Sequence, residues 1–240
     1  MTLAQRLLDD LAEKYGMYSS WATWNPANPA DARIIAEHQS FLKASVVMIG
    51  LNVSRPIPNT WQNFHGADHA RKLMFAFNDS PYRGAYMTDI IKGEVESKAG
   101  RLLARLRDGS IDAQKHIDAF RTEMFDVGAH EHSLFILFGN DVAQFFTRHL
   151  AGIYPNHVSC AHYSTYGSGY SDAEWVEKSW TILEAHCEAT RATFNTLEFV
   201  RNDLMRHQLQ KLKEKQNAAS QSRRGRRSST AARPTIGRLL

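Results

Sequence analysis

Cysteine is scarce in this chain: Cys160 and Cys187 are the two in 240 residues. So few thiols argue against a disulfide framework and fit a reducing, cytoplasmic setting. Long apolar runs are missing too. No stretch reaches the roughly 18 consecutive apolar residues of a membrane-spanning helix, so no membrane partner is expected. The opening MTLAQRLLDDLAEKYG sets acids inside its apolar periodicity and lacks the pattern of a secretory leader. The phosphate-cradling patterns GxxxxGK[ST] and GxGxxG do not occur, nor does the GxSxG elbow of a serine hydrolase. His130–His132 (HEH) and Cys160–His162 (CAH) match no common zinc spacing. Neither a metal nor a cofactor is expected. A glycosidase-like acid pair would need two strand-end carboxylates; Asp89 and Asp141 are the candidates, and Asp141 reads better as a helix start.

What is present is an ordinary globular composition, 43% hydrophobic and 22% charged, long enough for one sizeable core. Its charge is unevenly placed. Residues 211–240 hold nine Lys/Arg against one acid, whereas the first 210 residues hold 20 basic and 24 acidic. The run SRRGRRSSTAARP cannot bury a core and reads as a disordered arm able to meet phosphates.

Helical periodicity covers residues 3–15, the stretch ADARIIAEHQSFLKA, about Ala67 to Phe77, most of 100–127 with a break near Gly109, DVAQFFTRHL, and Asp172 to about Ala189, with Ser171 or Asp172 as cap. YSSWATWNPANP between the first two reads as a loop. Short apolar strands are expected at Ser45 to Leu51, in GAYMTDIIKG, in SLFILFGND, and in HVSCAHYSTYGSGYS before its Gly/Ser/Tyr loop. Helices alternating with apolar strands predict an α/β protein: a central four-stranded, mainly parallel sheet flanked by helices, followed by a disordered basic C-terminal tail. In such sheets ligands bind beyond the carboxyl ends of the strands. The loops carrying Asn52, Asp89, Gly139-Asn140 and His162 should therefore open on one edge. An amide, an aromatic beside a His (Phe64, His65), a strand-end acid and a last-strand His form the candidate constellation.

In that order, IGLNVS, NFHGADHARKLMFAF, YMTDIIK, ILFGNDVA and AHYSTYGS resemble the motifs of the uracil-DNA glycosylase superfamily, most closely its mismatch-specific uracil/thymine branch. The resemblance spans about residues 40–185. It departs where Val53 and Tyr163 replace prolines, and where Asp89 stands at the base-reading position that is commonly Asn. It implies a glycosylase-like domain over 1–200; after it the residues themselves read as a C-terminal helix over 201–216 and a disordered Arg-rich tail over 217–240. DNA would be the partner, with a pyrimidine flipped into a pocket and its N-glycosidic bond hydrolysed. Asn52 would orient the attacking water and His162 would donate to the pyrimidine O2; these are the catalytic candidates. Phe64 would stack on the base, with Asp89, Tyr163, Gly50 and Leu51 completing its pocket. Ser54, Arg71, Ser164, Gly167 and Ser168 would hold phosphates.

An ionised Asp can only accept hydrogen bonds, so it faces uracil O4 unfavourably but suits the amino group of a cytosine. The expected substrate is thus a cytosine-type base, and a modified one, as in some phage DNA, because excising normal cytosine would destroy the host genome. A uracil or mismatched-thymine repair enzyme, a catalytically silent nucleic-acid-binding module, and a nucleoside hydrolase are the competing expectations.

Overall fold

The computed structural model describes residues 3–66, 70–164 and 171–194. Its elements run α1 (Leu3–Tyr15), β1 (Ser19–Trp21), α2 (Ile34–Glu37), a 3-10 turn (Gln39–Phe41), β2 (Lys43–Asn52), α3 (Ala70–Phe77), β3 (Ala85–Ile91), α4 (Ala99–Arg107), α5 (Ala113–Val127), β4 (Leu134–Phe138), α6 (Asn140–His149), β5 (His157–Cys160) and α7 (Asp172–Phe194). Among the described residues the sheet has the order β1-β3-β2-β4-β5. Strands β3, β2, β4 and β5 are parallel to their neighbours, and β1 is antiparallel to β3.

The fold is therefore α/β as expected, but the sheet is mixed and has a fifth strand. The corrected segment is Ser19–Trp21, which reads as a loop because three residues carry no usable period. Pairing with Met87 at the centre of a long buried strand makes it a strand. A second correction concerns residues 30–44. Their helical periodicity yields one α turn and one 3-10 turn, because Leu42 is already extended and Lys43 donates its N–H to the Gly84 carbonyl. Tertiary pairing overrides a weak local propensity.

Helices cover both faces, so β3 and β4 are buried along their whole length and β2 is buried from Val46 to Leu51. Val47, Ile49 and Leu51 of β2 pack with α1, α4, α5 and α6 through Leu11, Leu102, Phe120 and Phe146. Val46 and Met48 face the opposite way, onto α3 and α7 through Leu73, Phe77, Trp175 and Leu183. Fully burying each large apolar side chain contributes about 1.5–3 kcal/mol, so both layers are strongly held. The helix ends are set locally. Asp112 caps α5 by accepting from the N–H groups of Gln114 and Lys115, and Gly128 ends it in the left-handed conformation at φ 81°. Before α7, Ser171 Oγ accepts from Glu174 N–H at 3.3 Å and Glu174 Oε2 from Ser171 N–H at 2.6 Å, a capping box. No helix among the described residues is long and apolar enough to cross a membrane. The expected helix over 201–216 and the tail over 217–240 lie outside the described residues.

Candidate functional site

Alternation along β2 and β3 fixes what the sheet presents at its carboxyl edge. Residues 46, 48, 50 and 52 share the face toward α3 and α7, and Gly50 lies beside Asp89 in the parallel register. That edge opens into a pocket of about 620 Å³. Gly50, Leu51, Asn52, Ser54, Phe64, Asp89, His162, Tyr163 and Ser164 line it. Nine of the proposed site residues thus meet around one cavity. Arg71 is exposed on α3 and is not among the lining residues. Gly167 and Ser168 lie outside the described residues. The guanidinium nearest the role assigned to Arg71 is Arg55, which lines the pocket and donates to the Gly66 carbonyl.

Asn52 sits at the last position of β2. Its side-chain nitrogen donates to the carbonyls of Val53 at 3.0 Å, Glu94 at 3.0 Å and Glu96 at 2.8 Å. Three carbonyls can be faced only by the NH2 arm of an amide, so the flip is settled by chemistry. The oxygen arm is then the acceptor of a residue that lines the pocket. Glu96 N–H closes the same corner onto the Val53 carbonyl at 3.2 Å, which ties the segment after β3 to the end of β2. The side chain is held in one orientation before anything binds. It can hold a water by accepting one of its protons.

His162 is oriented from the other side. Ser164 donates its backbone N–H to Nδ1 at 3.1 Å, and its hydroxyl lies 2.7 Å from the same nitrogen. A backbone N–H cannot face a protonated nitrogen, so the neutral ring carries its proton on Nε2. That ring N–H is a hydrogen-bond donor. The ring stacks on Tyr163, centroids 4.4 Å apart. It approaches Gly139 so closely that a Cβ there would lie 3.2 Å from the His162 Cβ. Gly139 also has φ +100°, which a side chain would strain.

The aromatic wall is strained. Trp61 and Phe64 both have left-handed φ, 63° and 68°, a conformation costing about 1–3 kcal/mol for a bulky residue. The residues before β2 hold the loop in this shape. Ser20 Oγ donates to the Trp61 carbonyl at 2.7 Å, Trp61 N–H to the Gly16 carbonyl at 2.6 Å, and Asn63 Nδ2 to the Tyr18 carbonyl at 2.8 Å. The short β1 strand therefore positions the aromatic that lines the pocket. Phe64 meets Tyr163 edge-on at 6.1 Å, and Tyr163 meets Phe138 edge-on at 5.4 Å. Its neighbour His65 points away into the core, 1% exposed and stacked on Trp24. Burial pushes its imidazole down to about 4. It is a neutral core histidine.

Asp89 forms the floor. It is 3% exposed, and burial pushes its carboxyl up to about 6, opposed by the hydrogen bond from Asn63 and the charge of Lys92. Asn63 Nδ2 donates to Oδ2 at 2.7 Å. The other oxygen, Oδ1, lies 2.2 Å from where a Cβ on Gly50 would be. Gly50 is required by that close approach. Burial and the Asp89 charge together push the Tyr163 phenol up, so it stays protonated.

Sequence reasoning missed Asn63, Glu96 and Asp141 as pocket residues. Asp141 lies in the first turn of α6, one residue past the helix start, and it also lines the cavity. Glu96 follows β3 by five positions in a polar loop that carries no motif. Among the described residues no group of three or more His, Cys, Asp or Glu is arranged to hold a metal. Comparison of the chain with protein-family models, with curated proteins and with solved structures finds no match in any of the three.

Proposed function

We propose that this protein is a monofunctional DNA glycosylase that accepts a flipped pyrimidine nucleotide, hydrolyses its N-glycosidic bond and leaves an abasic site. The single observation carrying the reading is the pinned amide of Asn52 across the same pocket from the Nε2–H donor of His162. Cleavage of such a bond builds positive charge on the sugar and negative charge on the departing base. Asn52 would hold the water below the sugar carbon, supplying position without proton abstraction. His162 would donate to the pyrimidine O2 as charge collects there. Phe64 would take the ring face, a contact of about 1–3 kcal/mol. The carboxylates of Asp89, Glu96 and Asp141 around the cavity favour a cationic sugar and disfavour a phosphate deep inside. Phosphates would then stay at the rim, with Arg55, Ser54 and Ser164.

Asp89 supports a cytosine-type base: above about pH 6 its free face is an acceptor, matched to an exocyclic amino group. A modified cytosine, as carried by some phages, spares the host's own bases, and an anti-phage role follows from that choice. The second reading, uracil or mismatched-thymine repair, draws on the same raised carboxyl, which when protonated donates instead.

The test is incubation with duplexes containing uracil, G·T, cytosine, hydroxymethylcytosine or glucosylated hydroxymethylcytosine, then alkali to cut abasic sites. Scission of a modified-cytosine strand, reduced about a hundredfold or more by Asn52→Ala, is expected. Scission of the uracil strand alone would transfer the reading to repair. DNA binding with no scission of any strand would overturn the enzyme in favour of a non-catalytic binding module.

A further inference from the structure

Asp89 reaches the pocket with one of its two oxygens already engaged. Asn63 makes this so with all of its polar atoms. Its Nδ2 donates to Asp89 Oδ2 and to the Tyr18 carbonyl, and its Oδ1 accepts from Phe64 N–H at 3.1 Å. Asn63 is itself 8% exposed. One buried amide thus ties together the aromatic loop, the residue preceding β1 and the pocket floor. The second oxygen, Oδ1, passes over the Cα of Gly50, where no side chain stands in its way.

We propose that Asn63 is a specificity-determining residue: by occupying Oδ2 it makes Oδ1 the one atom of Asp89 that meets the ligand, an acceptor for a 4-amino pyrimidine when ionised and a donor to a 4-oxo pyrimidine when protonated. This rests on the glycosylase reading for its ligand class, and goes beyond it in naming what sets the choice of base and how the choice changes. A proton taken up by the carboxyl settles on Oδ1, since Oδ2 already accepts the Asn63 N–H. The two base classes then have opposite pH dependence at one pocket.

Charged and titratable groups surround Asp89 from several elements: His162, Glu96, Asp141 and Arg55 line the same pocket, and others pack behind it. Lys92, at the end of the same strand, favours the ionised form, and Glu123, from α5 behind the sheet, disfavours it. Tyr163, from the segment after β5, and Tyr18, just before β1, carry phenols that burial pushes up, so both stay neutral. His65, in the loop that carries Asn63, is neutral as well. Beside Asp89, β2 presents Gly50. Of these groups, Asp89 is the one that lines the pocket with a carboxyl pushed up to about 6 by burial.

The experiment titrates free cytosine and free uracil into the intact protein, followed by NMR, at pH 5.5 and pH 7.5, for the wild type, Asn63→Ala, Asn63→Asp and Asp89→Asn. Wild type is expected to prefer cytosine at pH 7.5 and to shift by about tenfold or more toward uracil at pH 5.5. Asn63→Ala removes the donor that steadies the carboxylate, so the crossing moves to higher pH. Asn63→Asp sets a second carboxyl against the first and moves it further. Asp89→Asn abolishes the pH dependence. Were Asn63 merely structural, its loss would weaken both bases together and leave the crossing in place, which would overturn the proposal. So would a preference that does not change with pH, or failure of either base to bind. A pH crossing without strand scission of any duplex would keep this role and remove the glycosylase. Scission with a constant preference would do the reverse.

Discussion

Two buried carboxyls stand on opposite faces of the same sheet, and they are treated differently. Glu123, fully buried, accepts from the Tyr86 hydroxyl and the Thr88 hydroxyl, each at 2.7 Å, and pairs with Lys92. Lys92 is itself held by Thr88 at 2.6 Å and lies 5.0 Å from the Tyr18 ring. Asp89, one residue from Thr88 and pointing the other way, has a hydrogen bond from Asn63 on one oxygen and the pocket on the other side. A carboxylate with three partners is scaffold, since satisfaction offsets its desolvation. One held by a single amide at the floor of a cavity keeps capacity for a ligand. The difference singles out the candidate site without reference to any motif.

The largest effect should come from breaking the satisfied partner set. Glu123→Ala strands Lys92, whose side chain is 10% exposed, and leaves the hydroxyls of Tyr86 and Thr88 without their acceptor. Removing one partner of a buried pair costs about 3–5 kcal/mol, which urea denaturation would read as a lowered midpoint. The double variant Glu123→Leu with Lys92→Met should recover the part of that loss that comes from the stranded Lys92 charge, while the Tyr86 and Thr88 hydroxyls still lack their acceptor. If the single variant were nearly neutral, Glu123 would not be scaffold and the contrast with Asp89 would collapse.

How much of this could be read from the sequence follows the same division. Strands β2 and β4 are legible because buried parallel strands are near-continuous apolar runs, and both stop at a polar end: Asn52 in one, Gly139-Asn140 in the other. Asn52, Asp89 and His162 are legible as strand-end polar groups. Asn63 is not. Its meaning lies in a carboxyl 26 positions away and in the Tyr18 carbonyl, and nothing local distinguishes it from a turn residue. The same holds for β1, whose three residues acquire their role from the strand they pair with. Residues 30–44 show the converse error, a helical period overruled by pairing of Lys43 with Gly84. The Glu123 set was hidden for a further reason: a charged residue on an amphipathic helix reads as a solvated face until the helix is docked.

Next in size is the pH response of Asp89 itself. Its unfolded pKa is near 3.8 and its folded value is raised to about 6, so the native state binds the proton more tightly. The carboxyl therefore favours folding most below about pH 4, and that advantage is lost as the pH rises to about 6. The span corresponds to about 3 kcal/mol. Asp89→Asn should match wild type in stability near pH 4 and exceed it by up to that amount at pH 7.5, as measured by denaturation at both values. A variant less stable at pH 7.5 would mean that Asp89 is satisfied like Glu123, and that the pocket does not leave it under-partnered.

The smallest effect, and the one that sharpens the comparison most, belongs to Thr88→Val. Valine keeps the β-branched shape suited to a buried strand and deletes two hydrogen bonds, the one Thr88 donates to Glu123 and the one it accepts from Lys92, while Tyr86 and Lys92 still meet Glu123. Loss of these two hydrogen bonds from a partly redundant set should cost about 2 kcal/mol. Because Thr88 points toward α5, the change should leave the pH dependence attributed to Asp89 where it was, even though the two residues are adjacent in the chain. A shift of that pH dependence in Thr88→Val would show that the Lys92 charge reaches Asp89 more strongly than through the sheet, and that the two carboxyls act as one coupled pair. An unchanged profile with a modest stability loss would mean that alternation along β3 separates them, one side chain facing structure and the next facing the ligand.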